Sequence, residues 1–526
     1  MVVKSKDVKK INIYWVRRDF RLTDNPALYN SVLDNGNNFE FLPIFILEDY
    51  MTKASPDYQF GYPSRYFLAK AIPEFAKNFK KFLVLKGKGA KTLIKTVREI
   101  EKNNHKVKIF VNEDVYPDFY KQIRKIQKAG IKIEVFDDMI SVNKNLKTST
   151  GNLYSVFTPF KKAVWQDFVS KTIYPKITTD KLSSLKYHGF KAGLDSSNLW
   201  QEFEKNRKIL VGNQIVDIDK LIKSEENYDK TKNFYCTENE ALKRFENFLH
   251  NDLENYKEKR NSLEMDVDQN GTSKMSLGLA WGLVSARYLN HLIKSKKEFF
   301  INSKKSEDLL DFDWRATPKR LDGPIHYISE LIWREFYKYL LFNNPKLMGE
   351  EFQEKYRNKI KWVDQKTALF RFEKWIRGET GYKIVDAAMH EIRQTGLMHN
   401  RSRMIVASVL TKNFGVDWRW GQEYFRAMLL DLDEASNNGG WQWGASVGAD
   451  PKPIRIFNPY LQEKNYDKSG RYRRKWLSKE RFEDENKNMT VNLFKKDDNE
   501  NEGVNIEPLI EHKIARQEAL KRYGLK

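Results

Sequence analysis

Apolar positions along the chain follow two different rhythms. Up to about residue 140 they come as short solid runs: INIYWV (11–16), FLPIFIL (41–47), FLVLKG (82–87), VKIFVNED (107–114) and IKIEVF (131–136). Runs of this length, separated by amphipathic stretches such as 66–80 and 91–103, predict buried strands alternating with helices. NPALYNSVL adds a helix start, with Asn25 as cap and Pro26 at the first helical position. Strand, helix, strand repeated in this way predicts an α/β domain over residues 1–140, built on a Rossmann-like, doubly wound parallel sheet. Ligands of such sheets sit beyond the strand C-termini, where Asn112 and Glu113 stand. There is no GxGxxG fingerprint here, and Gly87-Lys88-Gly89 reads as a plain loop.

The second rhythm starts after Glu238. ALKRFENFLHNDLENYKEKR places Leu242, Phe245, Phe248 and Leu249 on one helical face. Helical spacing continues through HYISELIWREFYKYLLF (326–342), RFEKWIRGETGYKIVDAAMHEI (371–392), RMIVASVLTKNF (403–414), GQEYFRAMLLDL (421–432) and IEHKIARQEALKRYG (510–524). Residues 229–526 are therefore expected to form a larger all-α domain. Between the two lies 141–228, which has no sustained period and predicts an interdomain linker draped over the surface, entered by SVFTPFKKAVWQDF (155–168). Segment 477–505 is polar and charged and predicts a loop.

Composition narrows the class. A chain of 526 residues has room for more than one domain. Lys and Arg number 93 against 71 Asp and Glu, a formal charge of +22 that favours polyanions, although scattered lysines produce the same excess. The single cysteine, Cys236, excludes an intrachain disulfide and a cysteine-held iron–sulfur cluster, and no metal site is expected. MVVKSKDVKK lacks an apolar signal core and no run approaches a membrane span, so a soluble, cytoplasmic protein is the default.

Four segments carry candidate chemistry. DLDEASNNGGWQW (431–443) combines carboxylates, two amides, a Gly pair and two indoles; Asn437, Asn438, Gly439 and Gly440 are turn formers, suited to a core turn or to a ligand pocket. GTSKMS (271–276) precedes an apolar helical stretch, where hydroxyls serve either as an ordinary cap or as a phosphate site. Glu330 and Trp333, at i and i+3, share a helix face and can hydrogen-bond a base edge and stack on its ring; one exposed Glu beside one core Trp would look the same. MHNRSRM (398–404) presents an amide and a thioether, Asn400 and Met404, neither an acid or base near neutral pH, and a lone His399 that reads as structural.

RRDFRLTDNPAL, ELIWREFY, MHNRSRM, DLDEASNNGGWQW and RIFNP together resemble the photolyase/cryptochrome family over nearly the whole chain, and within it the class I cyclobutane pyrimidine dimer (CPD) photolyases. The resemblance implies an FAD in the helical domain whose excited, reduced form passes an electron to a dimer flipped out of UV-damaged DNA. It also implies an antenna folate or 8-hydroxy-5-deazaflavin in the α/β domain, and a monomer. Cofactor contacts are implied at Tyr256, Thr272, Ser273, Lys274 (where Arg is usual), Met275, Ser276, Arg403, Asp431, Asp433 and Asn437. Of these, Arg403 and Asp431 pair beside the isoalloxazine, Asp433 accepts from its N3–H, and Asn437 faces N5. Lesion and DNA contacts are implied at Glu330, Trp333, Asn400, Arg401, Met404, Trp443 and Arg455. Trp362, Trp418 and Trp441 match the electron-hopping series from surface to flavin, although any three of thirteen Trp residues could be core and the stretch from Trp362 to Trp375 is longer than usual. Photolyases for the (6-4) lesion carry histidines where Asn400 and Met404 stand, which favours the cyclobutane dimer. The alternative is a cryptochrome. Plant photoreceptors have Asp at the Asn437 position; the single-strand-repairing DASH branch usually has Tyr near Trp443 and Gln near Met404, yet GASVGAD and LLDLDEAS lean toward it.

Overall fold

The computed structural model describes residues 8–33, 39–52, 60–114, 118–190, 193–203, 208–212, 214–221, 234–268, 270–296, 321–449, 454–477 and 507–525. Five apolar runs become strands β1 (Lys10–Val16), β2 (Glu40–Leu47), β3 (Leu83–Lys86), β4 (Lys106–Asn112) and β5 (Lys132–Phe136). All pair in parallel, in the order β3-β2-β1-β4-β5. Crossovers use helices α1 (Pro26–Leu33), α2 (Tyr62–Ala76), α3 (Gly89–Glu101) and α4 (Phe119–Lys128), the last not evident from periodicity. Helices cover both faces, so β1 and β2 are buried along nearly their whole length and read as solid apolar runs.

Strand order reverses between β1 and β4, the usual ligand crevice of such a sheet. Here Asn112 is spent internally. Its Nδ2 donates to Asp19 Oδ2 (2.7 Å) and Asn25 Oδ1 (2.8 Å), and its Oδ1 accepts from the Ala27 amide (3.0 Å). Glu113 is buried against Lys144 (2.6 Å), and burial pushes its carboxyl up to about 7.

The segment expected to be a surface linker is partly structural wall. Helix α5 (Phe157–Ser170) buries Phe160, Val164, Trp165, Phe168 and Val169 and packs against the helical part of the chain, because its apolar residues recur at i, i+4 and i+8. A short antiparallel hairpin, β6 (Lys208–Val211) and β7 (Gln214–Asp217), follows.

The remainder is helical: α6 (Glu238–Asn251), α7 (Ala286–Ser295), α8 (Asp322–Asn343), α9 (Gln365–Arg377), α10 (Lys383–Thr395), α11 (Asn400–Ser408), α12 (Trp418–Met428), α13 (Glu434–Gly444), α14 (Pro459–Tyr466) and α15 (His512–Arg522). Thr237 and Glu240 close a capping box on α6, whose Phe245, Phe248 and Leu249 face the core. Two stretches of unbroken helical spacing are in fact broken by left-handed glycines. Gly378 (φ 63°) ends α9, and Gly282 (φ 66°) ends the short helix Ser276–Trp281 ahead of α7. At Gly282 a Cβ would lie 1.9 Å from the Arg18 carbonyl oxygen, so the break also lets the α/β unit approach. That junction is tied by a buried ion network: Arg21 and Arg287 both reach Asp138 (2.6 and 2.7 Å), and Arg287 reaches Asp24 (3.0 Å). Losing one partner of such a network costs about 3–5 kcal/mol, which fixes the two units around what lies between α8 and α13.

No helix among the described residues is long and apolar enough to cross a membrane. Of the polar segment 477–505, everything after Leu477 lies outside the described residues.

Candidate functional site

One cavity of about 1210 Å³ opens between α8, α11, α13 and the 271–276 segment. Drug-sized pockets run to about 300–1,000 Å³, so this one has room for a large cofactor together with part of a substrate. The implied cofactor and DNA residues all line it; among the implied series of indoles Trp441 does, whereas Trp362 and Trp418 do not.

The 431–443 stretch forms one wall, and it is not a turn. Glu434–Gly444 is helical, with Asp433 as cap accepting from the Ser436 amide at 2.9 Å. Gly439 serves helix packing: a Cβ there would sit 2.1 Å from the Tyr337 ring, so only Gly lets α13 lie this close to α8, whereas Gly440 faces open space and lines the cavity. Asn437 and Asn438 split in role. Asn438 turns inward, donating to Leu347 O and Gln422 Oε1 (both 2.7 Å). Asn437 donates to Gln422 O at 3.2 Å, and its buried Oδ1 has no donor. Arg403 Nη2 donates to both oxygens of buried Asp431, at 2.9 and 2.8 Å. Asp433 meets the fully buried Lys338 at 3.3 Å. Burial alone would raise the Asp433 carboxyl, but Lys338, Arg334 and the Ser436 amide outweigh it and hold it well below the usual range. Burial likewise lowers Lys338 to about 8.

The opposite wall holds Tyr256 and residues 272–276. Tyr256 sits edge-on to Tyr327 (5.1 Å) and Phe248 (5.6 Å). Ser273 Oγ bonds the Tyr327 hydroxyl (2.9 Å), while buried Thr272 Oγ1 has no partner. Lys274 adopts a left-handed backbone (φ 56°), unusual without glycine, and pairs with Asp266. Burial lowers its ammonium to about 8, with Arg244, Lys475 and Arg403 acting the same way against Glu391.

At the mouth, Glu330 is held by Arg260, whose Nη2 donates to its Oε2 at 2.9 Å. Trp333 lies flat on Phe157 of α5, centroids 3.5 Å apart and planes 8° from parallel, so one indole face is covered. Asn400 Nδ2 points to Met404 Sδ at 3.8 Å, one helical turn away. Arg401 is braced by Asn261 Oδ1 (2.8 Å) and lies over Tyr466 (4.3 Å); Arg455 lies over Trp443 (5.4 Å). His399 caps α11, its Nδ1 accepting the Arg401 amide at 3.1 Å. Burial and then Lys274, Arg260 and Arg401 drive its ring to about 3, so it stays neutral, as a structural cap requires.

Trp441 is buried with its Nε1 unpartnered; its ring neighbours include Phe425 (5.0 Å) and Trp375 (6.0 Å). It packs on α12 at Gly421, one turn after Trp418, which opens that helix and is fully buried. Trp362 lies farther out, edge-on to Tyr523 at 6.3 Å.

Among the buried polar atoms of cavity-lining residues, Thr272 Oγ1, Asn437 Oδ1 and Trp441 Nε1 thus lack partners. Each such orphan costs about 1–3 kcal/mol, a cost that a polar cofactor with donors and acceptors along its length removes. The residues fit FAD in that sense.

Known proteins agree. Residues 12–177 match the family model described as DNA photolyase, and 327–525 the one described as FAD binding domain of DNA photolyase. The deoxyribodipyrimidine photo-lyase of Buchnera aphidicola (subsp. Baizongia pistaciae) is 31% identical over 483 residues, spanning 89% of this chain and 88% of that protein. The chain belongs to the DNA photolyase family. The deoxyribodipyrimidine photo-lyase of Escherichia coli is 29% identical over 531 residues, 97% and 98% of the two chains. Among solved structures, a class III photolyase from Agrobacterium tumefaciens superposes with a TM-score of 0.74 at 26% identity, covering 100% of this chain and 99% of that one. Like its family, the chain is an FAD protein.

Three residues that line or brace this photolyase cavity escaped the sequence reading: Arg260 lines it, and Lys338 and Gly421 stand behind Asp433 and Trp441. Arg260 follows Tyr256 by four, a spacing that puts both on one side of a helical turn, but in YKEKR it looked like one more basic residue. Lys338, inside the apolar run of α8, carried the signal of a charge at a core position. Gly421 carried none, because what it accommodates, the Trp441 indole, is twenty residues away.

Proposed function

We propose that this protein splits cyclobutane pyrimidine dimers in DNA by light, and that the cavity residues divide the work as follows. Reduced FAD, when bound, supplies on illumination the electron that opens the cyclobutane ring. Thr272, Ser273, Lys274, Met275 and Ser276 hold its diphosphate, with Tyr256 packed alongside. Arg403, anchored by Asp431, places positive charge beside the isoalloxazine and favours its anionic reduced form in a dry site. Asp433, kept ionised by Lys338, accepts from the ring imide. Asn437 Oδ1, buried and undonated, accepts from N5–H.

At the mouth, Glu330 and Asn400 hydrogen-bond the dimer, while Met404 and Trp443 pack on it and Trp333 on the free face of its indole. Arg401 and Arg455 hold phosphates, which position the strand without reading sequence. Trp441, then Trp418 and Trp362, return electrons to oxidised flavin. Residues 1–140 form the antenna-binding unit, with a folate or deazaflavin as its chromophore, 141–228 the linker, and 229–526 the catalytic unit; the protein acts as a soluble monomer.

The observation that carries this reading is the joining of both sets in one cavity: the walls that fit FAD and a mouth bearing Glu330, Asn400 and Met404 but no titrating group at the two latter positions. Ring opening by electron transfer needs no proton donor there, whereas (6-4) repair does. The test is Glu330→Ala and Asn400→Ala, assayed with FAD retention checked by absorption. Both should slow CPD repair with the flavin bands intact, and the unaltered protein should leave (6-4) product untouched. Efficient (6-4) repair would overturn the assignment. An added near-ultraviolet or violet band would identify the antenna.

A further inference from the structure

At the cavity mouth, Arg260 serves two acceptors. Its Nη1 lies 2.9 Å from His326 Nε2 and also contacts Glu330 Oε1, and its Nη2 donates to Glu330 Oε2 at 2.9 Å. Guanidinium has no acceptor, so His326 must be neutral at Nε2 and carry its proton on Nδ1. His326 and Glu330 are one turn apart on α8, and Nε2 stands only 3.9 Å from Glu330 Oε1. The arrangement has two self-consistent states. With neutral imidazole, Arg260 bridges ring and carboxylate. With imidazolium, two cations would face each other at hydrogen-bond distance, so Arg260 must withdraw, and Glu330 gains a new cation on its own helix.

We propose that His326 is a positioning residue for lesion recognition: neutral, it braces Arg260 against Glu330, and protonated it takes Glu330 for itself and loosens the hold on the dimer. The inference rests on the reading of Glu330 as a lesion contact. Groups facing the ring come from three elements. The 256–260 segment brings Tyr256, 6.1 Å from it, with Lys257 and Arg260; α8 brings Glu330, and Asp322 already paired to Lys257 (2.9 Å); α5 brings Lys161. Burial, then Arg260, Lys257 and Lys161, outweigh Glu330 and lower the ring below its ordinary value, so Arg260 is braced at neutral pH and released only in acid.

The test is the ratio of affinities for CPD-containing and undamaged DNA of the same sequence, measured between pH 8 and 5.5 on FAD-loaded protein. Taking the ratio cancels the general effect of charge on phosphate binding. For the wild type the ratio should fall by about tenfold as pH drops below 6.5, the size of one charge-assisted hydrogen bond. His326→Gln, which still offers Arg260 an acceptor but does not titrate, should lose the step; His326→Phe should be poorer than His326→Gln at pH 8. A flat wild-type profile, or the same step in His326→Gln, overturns the proposal. Glu330→Gln separates the two ideas. If it keeps the wild-type ratio at pH 8, Glu330 does not touch the lesion and that reading fails. If it lowers the ratio while His326→Gln keeps the acid step, only the role of His326 fails.

Discussion

Gly421→Ala tests the packing that sets Trp441 in place. On α12 a Cβ at residue 421 would lie 2.0, 2.2 and 2.5 Å from Cη2, Cζ3 and Cζ2 of Trp441. Carbon atoms settle at about 3.5–4.0 Å, so the indole would have to retreat by about 1.5 Å. It has nowhere easy to go, being buried with Phe425 and Trp375 edge-on at 5.0 and 6.0 Å. Overpacking of this kind costs about 1–3 kcal/mol, seen as a lower midpoint of unfolding for the FAD-loaded protein. Trp441→Phe removes the atoms that clash. The double variant should therefore recover most of the stability lost in Gly421→Ala, a coupling within the range of about 0.5–3 kcal/mol for residues in contact. The assay for the electron path is blue-light bleaching of oxidised flavin with an external thiol, beside CPD repair by chemically pre-reduced protein. Gly421→Ala and Trp441→Phe should both slow bleaching while keeping most of the repair. Normal bleaching in both would take Trp441 off the path, and simple additivity of the two stability changes would refute the clash.

Further expectations concern cofactor and DNA. Lys274, lowered by burial to about 8, should be pulled back up by a bound diphosphate; below about pH 8 it is already charged, and above that pH binding must take up a proton. FAD affinity of the apoprotein should then be level below pH 8 and fall by up to about tenfold per pH unit above it, and Lys274→Arg should flatten the profile in titrations of flavin fluorescence. Asp431→Asn strips Arg403 of its carboxylate; because Arg403 keeps some solvent access, a cost of about 1–3 kcal/mol is expected instead of the full buried-pair penalty, read as FAD lost during gel filtration. Arg401→Ala should reduce the slope of log affinity against log salt by about 1 for all sequences; a change in sequence preference would contradict its assignment to phosphate.

The sheet was legible because its strands are buried on both faces, which writes them as solid runs in the sequence. The helices of the second half were legible where one face stayed wet, as in α6 and α15. Reading failed where local composition and tertiary demand part company. NNGG looked like a turn, yet Asp433 caps it into a helix whose Gly439 presses on Tyr337. The stretch at 157–170 looked like a connector because the partner for its apolar face, α8, lies far along the chain. At the site, residue types named the chemistry, but the bracing of Glu330 by Arg260 and of Asp433 by Lys338 depends on distances that spacing does not carry.

The central claim is that light absorbed by this protein opens cyclobutane dimers. The most direct measurement is illumination of the pre-reduced, FAD-loaded protein with an oligonucleotide carrying one thymine dimer, followed by chromatography of the strand. The account predicts conversion of the dimer to two intact thymines in blue light and none in the dark. Contradiction would be a dimer left unchanged in the light although the flavin is bound and reduced, or one that disappears equally in the dark.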